Sequence, residues 1–285
     1  MFSKLMKKLR RMVPVIVLAA AVPAISCSND LFGLVSAGDS SERESYRNVF
    51  VFPAEAERNI SLGSSYSFVV LTDVHITGTN AWKLEQLGPI LEENNDAFMV
   101  ITGDITQSGE RQELERFIEI AGTFPVPCFP VIGNHDVYFG NWEVWKELIG
   151  SSIYRIDAGD TTLIVLDSAN ASFGANQLDW LEGQLAAAGK NTFVFTHTNL
   201  FTDGSDCLQQ ITDIRERARF MALLENRCTA MFSGHVHRRI LREAGGVRYV
   251  TLEDFRSEGT YCRVRVSPEG VSYEFRTITA DNPAS

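Results

Sequence analysis

A chain of 285 residues, 45% of them apolar, is long enough to bury the core of a sizeable globular domain. Its formal net charge is −10, and it becomes −15 when the five basic residues of the N-terminal segment are set aside. Such an acidic chain repels polyanions, which disfavours free nucleic acid as a partner.

Residues 1–27 have the pattern of a bacterial secretory signal. Basic residues between Lys4 and Arg11 precede an apolar stretch, Met12 to Ile25, that is too short and too weakly flanked to predict a membrane-spanning helix. Ala24-Ile25-Ser26-Cys27 resembles a lipobox, although leucine is more common at the position of Ala24. We therefore expect an exported lipoprotein of the cell envelope, held at the membrane by lipid on Cys27 and facing the periplasm or the exterior. Ordinary signal cleavage, or retention of the segment as an anchor, is the alternative.

Residues 28–48 are polar and lack apolar periodicity, which predicts a flexible tether to a single catalytic domain at 49–285. The four cysteines after Cys27 form no Cys-x-x-Cys pair, so a thiolate metal site is disfavoured. A disulfide between Cys207 and Cys228 is one expectation for an exported protein, and small buried apolar residues are the other.

Within the domain, short apolar runs alternate with segments of helical periodicity. Strands are predicted at Tyr66–Leu71, Phe98–Thr102, Cys128–Ile132, Ile153–Asp157, Thr161–Asp167, Thr192–Phe195 and Ala230–Phe232. Helices are predicted at Trp82–Leu91, Arg111–Ala121, Trp142–Ile149, Gln177–Ala188 and Ile211–Leu224. The tail from Arg239 to Ile278 predicts three or four antiparallel strands. This order indicates an α/β fold in which helices cover a pair of mixed sheets.

All five histidines lie in short motifs that follow predicted strands. In chain order the motifs are Asp73-x-His75, Gly103-Asp104, Gly133-Asn134-His135-Asp136, His197 and Gly234-His235-x-His237. Ligands of open α/β sheets bind beyond the carboxyl ends of the strands, so the motifs are expected to converge there. One histidine at a strand end is usually structural, but five in such settings predict a common site.

The residue types in these motifs suit a metal centre. Imidazole together with carboxylate favours Zn, Fe, Mn, Co or Ni. Side chains two apart in an extended chain leave on the same side, so the Asp73 and His75 pair and the His235 and His237 pair are each expected to hold one cation. The carboxylate of Asp104 can bridge two ions.

Taken together, the five motifs resemble those of the calcineurin-like metallophosphoesterase superfamily, over about Phe68 to His237. The resemblance implies a four-layer α/β/β/α sandwich of two mixed β-sheets flanked by helices, with two divalent transition-metal ions. It implies one metal held by Asp73, His75, Asp104 and His237, and a second held by Asp104, Asn134, His197 and His235. It also implies that His135 is the catalytic histidine and that Asp136 supports it.

The details of the motifs favour one subclass. The sequence Gly103-Asp104-Ile105-Thr106-Gln107 lacks the tyrosine ligand of purple acid phosphatases and the Asp-Arg-Gly of Ser/Thr protein phosphatases. The motif set is most similar to the cyclic-nucleotide phosphodiesterase-like members. Many of these have a proline soon after the position of His197, whereas this chain has Thr198-Asn199-Leu200-Phe201, so its substrate-facing loop differs.

The resemblance implies hydrolysis of a small phosphate ester, either a phosphodiester or a monoester. Two cations about 3.5–4 Å apart lower the pKa of a bridging water and hold the phosphoryl group for in-line attack. His135 is then expected to orient the phosphate or to protonate the leaving alkoxide. A non-catalytic binding protein on the same fold and a nuclease are the alternatives, and the −15 charge weighs against the nuclease. Export favours envelope phosphodiesters or scavenged nucleotides as substrates, and no oligomeric state is indicated.

Overall fold

The computed structural model describes residues 40–78, 80–202 and 210–278. The expected signal segment, Cys27 and Cys207 lie outside the described residues, so lipidation and the disulfide stay predictions. Cys228 is buried, with its Sγ 3.1 Å from the carbonyl oxygen of Ala230. Among the described residues, no helix has both the length and the apolar character needed to cross a bilayer.

The strands form two mixed sheets. The first contains, in spatial order, β11 (Gly270–Thr277), β10 (Thr260–Ser267), β1 (Tyr66–Leu71), β2 (Met99–Thr102) and β3 (Cys128–Val131). The second contains β4 (Tyr154–Ala158), β5 (Thr161–Val165), β6 (Asn191–Phe195), β7 (Ala230–Ser233), β9 (Val247–Thr251) and β8 (Ile240–Ala244). Strands β1 to β3 run parallel, as do β5, β6, β7 and β9.

The residues that the structure describes also form nine α-helices. They are α1 (Ser40–Ser45), α2 (Glu55–Arg58), α3 (Trp82–Glu85), α4 (Leu87–Glu93), α5 (Arg111–Ala121), α6 (Trp142–Leu148), α7 (Ala175–Ala186), α8 (Ile214–Leu224) and α9 (Phe255–Glu258), with a 3₁₀ helix at His135–Gly140. Helices α3 to α6 pack on the first sheet, and α7 and α8 pack on the second. The predicted four-layer α/β/β/α sandwich is therefore confirmed.

Alternating side chains along each strand build the separate cores. In β1, Val69 and Leu71 point toward the helices, whereas Phe68 and Val70 point into the core between the sheets. This alternation follows from the two-residue period of a strand. Both faces of β1 are apolar because helices cover one side and the second sheet covers the other.

Two predicted elements differ from those observed. The helix expected at Trp82–Leu91 is split at Gln86 into α3 and α4. Pro89 explains the break, because it has no N–H to donate to the carbonyl of Glu85 and so cannot continue the preceding turn. The strand-rich tail is divided between the sheets: β8 and β9 join the second sheet, β9 lies parallel to β7, and β10 and β11 extend the first.

The described part of the expected tether also differs from prediction. Residues 40–48 pack against the domain, beginning with helix α1. Arg43 is buried against Asp167, and the Tyr46 ring meets Trp142 edge-on at 6.2 Å between centroids. Polar composition indicated a tether, but the polar side chains of this segment have specific partners within the domain.

The core between the sheets gives a stability prediction. Phe68 is fully buried, and its ring stacks on Phe98 at 4.6 Å and meets Phe193 edge-on at 5.0 Å. Replacing Phe68 by alanine should lower the free energy of unfolding by about 3–5 kcal/mol in a denaturant titration. Ile214→Ala, at a site that is 68% exposed, is the control and should change it by less than about 0.5 kcal/mol. A comparably small loss in both variants would contradict this account of the core.

Candidate metal centre

The polar motifs meet where the carboxyl ends of the parallel strands of both sheets come together. Strands β1, β2 and β3 lead to Asp73, Asp104 and Asn134, while β6 and β7 lead to His197 and His235. The two halves are joined directly, because the backbone amide of His235 donates to Oδ2 of Asp73 at 3.0 Å. Convergence of the motifs was the main expectation from the sequence, and the structure brings all of them together.

One group of donors contains Asp73, His75 and His237, whose ligand atoms all lie within 4.8 Å of one another. His237 Nε2 is 3.1 Å from Asp73 Oδ1, and His75 Nε2 is 3.7 Å from the same oxygen. Asp104 adjoins this group, with Oδ2 3.9 Å from His75 Nε2. These are the four residues that the sequence resemblance implies for one metal.

A second group contains Asp104, His197 and His235, again within 4.8 Å. Oδ2 of Asp104 is 3.2 Å from His197 Nε2, and Nδ1 of His235 is 3.2 Å from the same nitrogen. Asn134 Oδ1 lies 3.1 Å from His197 Nε2 and so joins this group. Asp104 reaches both groups, as a bridging carboxylate must.

The backbone reaches this arrangement through left-handed turns. Asp73, His75, Asp104, His235 and His237 have φ between 48° and 74°. Side chains rarely adopt this conformation, which costs roughly 1–3 kcal/mol per residue and is concentrated at functional sites. The extended geometry expected for the two Asp/His-x-His pairs was therefore wrong. His235 and His237 also separate, each facing a different group.

Two glycines allow the motifs to approach closely. A Cβ on Gly234 would overlap Thr72 Oγ1 and lie 2.5 Å from Asp73 Oδ2. A Cβ on Gly133 would overlap the carboxylate of Asp104. Both glycines are therefore required because another motif occupies the space of a side chain, and not because of their own φ angles.

His135 lies at the edge of the cluster, and a hydrogen bond on the side of its ring away from the cluster sets the ring's orientation. Its Nδ1 donates to the carbonyl of Gln107 at 2.7 Å, which leaves Nε2 directed to the site. Nε2 is 3.9 Å from Asp104 Oδ2 and 3.4 Å from the Tyr138 hydroxyl. His75, Asp104 and His135 also meet the distance criterion for a ligand group, so distance alone allows His135 either role.

Asp136 supports the loops and not the ring of His135. Its carboxylate is fully buried and accepts hydrogen bonds from the amides of Thr106 and Gly133, each at 2.8 Å, and from the Thr106 hydroxyl. Burial and the nearby Asp104 raise its pKa to about 7 despite these donors. These hydrogen bonds join Asp136 to the loops beside His135 and not to His135 itself, and the supporting role that the resemblance implies stays a prediction.

Residues that the sequence motifs do not single out orient the ligand candidates. Thr72 Oγ1 donates to Asp73 Oδ2 at 2.7 Å, and His197 Nδ1 donates to the carbonyl of Thr102 at 2.9 Å. The Ser168 hydroxyl accepts from the amide of His197 at 3.2 Å. Asp167-Ser168 follows strand β5 as the other motifs follow their strands, but it contains no histidine to draw attention to it.

Burial and the neighbouring charges together set the pKa values of the histidines in the cluster. Burial opposes charge on His197, but the carboxylates of Asp104 and Asp73 raise its pKa to about 9. The same balance, with Asp73 as the main partner, raises the pKa of His237 to about 9. Burial and the adjacent His197 lower the pKa of His235 to about 3. Cation binding at neutral pH therefore competes with protons on His197 and His237.

The donors fit two cations. Both ring nitrogens of His75 and Nε2 of His235 are buried without a hydrogen-bond partner among the residues that the structure describes. Buried polar atoms rarely stay unsatisfied unless a ligand, ion or water completes them. The mixture of imidazole, carboxylate and amide oxygen, without thiolate, suits borderline transition metals.

A two-sheet sandwich with an Asp/His/Asn cluster at the strand ends has the donors that a dinuclear metallohydrolase needs. The sequence profile described as calcineurin-like phosphoesterase matches residues 66–239. The chain belongs to this family, which uses a dinuclear metal centre, and it is a metal-dependent phosphoric ester hydrolase.

Named relatives agree with this class. The chain is 29% identical to glycerophosphodiester phosphodiesterase GpdQ of Enterobacter lignolyticus over 210 residues, which are 68% of this chain and 74% of that protein. It is 26% identical to 3',5'-cyclic adenosine monophosphate phosphodiesterase CpdA of Haemophilus influenzae over 223 residues, 70% of this chain and 77% of that one. Among solved structures, a dimetal phosphatase from Danio rerio shares the fold, with a TM-score of 0.63, 13% identity and coverage of 74% and 96%.

The glycine contacts give a test of the site's construction. Gly234→Ala should weaken metal binding strongly, because the new methyl group displaces Thr72 or the Asp73 carboxylate. Metal content after dialysis is the measurement. Gly183→Ala is the matched control: no atom lies within 4 Å of its Cβ, and Gly183 is inside helix α7, so metal content should be unchanged and stability equal or higher by up to about 1 kcal/mol. Normal metal content in Gly234→Ala would contradict the close approach.

The shared position of Asp104 gives a second test. Elemental analysis of the purified protein should approach two transition-metal ions per chain. Asp104→Ala should lose metal and activity together, because this carboxylate reaches both donor groups. Full activity in that variant, or after exhaustive chelation, would exclude a dinuclear centre.

Proposed function

We propose that the protein hydrolyses small phosphodiesters, with activity on monoesters as the weaker alternative. The main support for this proposal is that two donor groups share Asp104 and that the ring of His135 lies beside them. Both relatives described above bear the names of phosphodiesterases. The lack of a tyrosine after Asp104 also separates the chain from purple acid phosphatases.

We propose that this centre holds two divalent transition-metal ions, drawn from Mn, Fe, Zn, Co and Ni. When bound, they neutralise the phosphoryl oxygens and lower the pKa of a water for in-line attack. Asp73, His75, Asp104 and His237 would hold one of them, and Asp104, Asn134, His197 and His235 would hold the other. The carbonyls of Thr102 and Gln107 fix the rings of His197 and His135, so the Nε2 of His197 faces the second donor group and the Nε2 of His135 faces the edge of the cluster.

His135 is proposed as the general acid. When protonated, the ring keeps its Nδ1–H on Gln107 and presents a second proton on Nε2 toward the departing oxygen. Tyr138, one helical turn later, places its hydroxyl 3.4 Å from Nε2 and limits the ring's movement. Proton transfer of this kind contributes about 10²–10⁴-fold to rate.

A substitution at His135 distinguishes this role from metal binding. His135→Ala should keep two metals yet lose about 10²–10⁴-fold in rate on an alkyl diester. On a nitrophenyl diester, whose leaving group needs little protonation, the loss should be small. Equal losses on both substrates would leave only a positioning role. Loss of metal would place His135 among the ligands.

The substrate class is tested directly by a comparison of esters. The protein is loaded with Mn²⁺ and assayed on glycerophosphodiesters and on nucleotide diesters, beside the matching monoesters and single-stranded DNA. Diesters should be hydrolysed fastest. Hydrolysis of DNA at a comparable rate would favour a nuclease, which the acidic chain disfavours. Binding of phosphate esters without turnover would favour a non-catalytic binding protein.

Export and anchoring are part of the proposal. The basic and apolar halves of residues 1–27 and the Ser26-Cys27 pair support a lipoprotein of the bacterial cell envelope. Substrates on that side of the membrane are envelope phosphodiesters or scavenged nucleotides. The acidic domain then works at the membrane through lipid on Cys27, and not through basic surface charge.

Anchoring has its own test. Cys27→Ala should abolish incorporation of labelled fatty acid and either release the protein from membranes or stall its processing. Ser28→Ala, which leaves the cysteine in place, is the control and should be labelled normally. Unchanged membrane attachment in Cys27→Ala would instead indicate that residues 1–27 are retained as an anchor.

A further inference from the structure

Arg43 is a buried cation that lies before the family-matched region. It belongs to helix α1 and is 1% exposed, whereas the family match begins at residue 66. Its Nε donates to Asp167 Oδ2 at 2.7 Å, and its Nη2 lies 3.3 Å from Oδ1. Nη2 also donates to Asn170 Oδ1. Both side chains of the ion pair are nearly inaccessible to solvent.

The position of Arg43 is fixed by the rest of its segment. The carboxylate of Glu44 lies directly against Gly174, where a Cβ would overlap it. The amide of Asn48 donates to the carbonyl of Ile153 at 3.1 Å. The residues that follow Arg43 in the chain are therefore fixed to the domain, and its guanidinium is not a long surface side chain that happens to fold inward.

The loop that Arg43 contacts is the loop that holds a ligand candidate. Asp167 precedes Ser168, and the hydroxyl of Ser168 accepts from the amides of His197 and Thr198 at 3.2 and 2.8 Å. Thr198 Oγ1 donates back to the carbonyl of Ser168 at 2.7 Å. His197 and the residue after it are thus both tied to Ser168.

Gln177 holds the same loop from the helix side. Its Oε1 accepts from the amide of Asp167 at 2.8 Å, and its Nε2 donates to the Asp167 carbonyl at 2.8 Å. These bonds fix the backbone of Asp167 but leave its carboxylate to other partners. Among the described residues, Arg43 is the one cation within ion-pair distance of that carboxylate.

Burial of an ion pair is not by itself an efficient means of stabilisation, because desolvation of both charges offsets their attraction. The bidentate contact instead specifies position, since a planar guanidinium fixes both the distance and the orientation of a carboxylate. Here the carboxylate so fixed is adjacent to the residue that holds His197.

We propose that Arg43 is a positioning residue for His197, acting through Asp167 and Ser168. The segment that contains Arg43 then helps to position a ligand candidate of the second donor group, although this segment lies outside the family-matched region. The inference rests on the proposed role of His197 as a ligand. Groups that hold a ligand from behind typically change metal affinity by about 10–100-fold when removed.

The test uses Arg43→Met in the full chain, with Arg263→Met as a matched control. Arg263 is also buried, and its Nη2 lies 2.8 Å from Asp96 Oδ2, but this pair contacts none of the ligand candidates. Both variants leave a buried carboxylate without its cation and should melt at lower temperature. Only Arg43→Met should weaken Mn²⁺ binding, by about 10–100-fold in a chelator competition.

A second measurement needs no metal. Hydrogen exchange at the amides of His197 and Thr198 in the metal-free protein should accelerate in Arg43→Met and stay unchanged in Arg263→Met. Ser168→Ala should reproduce both effects, and its combination with Arg43→Met should be less than additive because both act through one loop. Arg43→Lys, with a point charge in place of the planar fork, should be intermediate and keeps the test usable if Arg43→Met does not fold.

The outcomes separate the two proposals. Wild-type protein that binds no Mn²⁺ would contradict the proposed function itself. Wild-type binding with unchanged affinity in Arg43→Met would overturn the role of Arg43. Equal weakening of Mn²⁺ binding in Arg263→Met would also overturn it, because the effect would then follow from lost stability.

Discussion

Two buried carboxylates, Asp73 and Asp104, impose the constraint on which this structure depends. An ionised carboxylate without solvent is costly unless charges and donors surround it, and each of these has both. The amide of His235 reaches Asp73 at 3.0 Å, and the amide of His135 reaches Asp104 at 2.9 Å. Each donor comes from a different motif, so satisfying the carboxylates also fixes the loops to one another. The same negative charge then attracts cations.

The sandwich supplies the rigidity that this site requires. Five ligand candidates adopt left-handed backbone conformations, which persist only where surrounding structure determines them. Three apolar cores fix the strands that lead into these turns, and the loops that follow β1 and β7 approach so closely that Gly234 has space for no side chain. Backbone strain and close contact between loops thus occur at the same place, where strands from both sheets end. Packing elsewhere compensates for their cost.

Much of the fold and of the site could be predicted from the sequence. Strands such as Tyr66–Leu71 were identified from short apolar runs, and the helix Arg111–Ala121 from its periodicity, because both patterns are local. The split at Gln86 escaped prediction because the apolar spacing continues through it. The docking of residues 40–48 escaped because Arg43 resembles a solvated residue until Asp167, distant in the chain, is placed beside it. Composition reports the average environment of a segment and not its individual partners.

The sequence by itself determined which residues are candidates for the metal centre and in what order they occur, because metal ligands are drawn from a few side-chain types and these follow the ends of particular strands. Only the tertiary structure decided how these residues are divided between the two donor groups. His235 and His237, two residues apart, face different donor groups, and Asp136 serves the backbone of Thr106 and Gly133 instead of the ring of its neighbour. Spacing along a chain fixes side-chain direction only where the backbone is regular. Here the backbone turns through left-handed conformations, so direction is set by contacts between loops that are far apart in sequence.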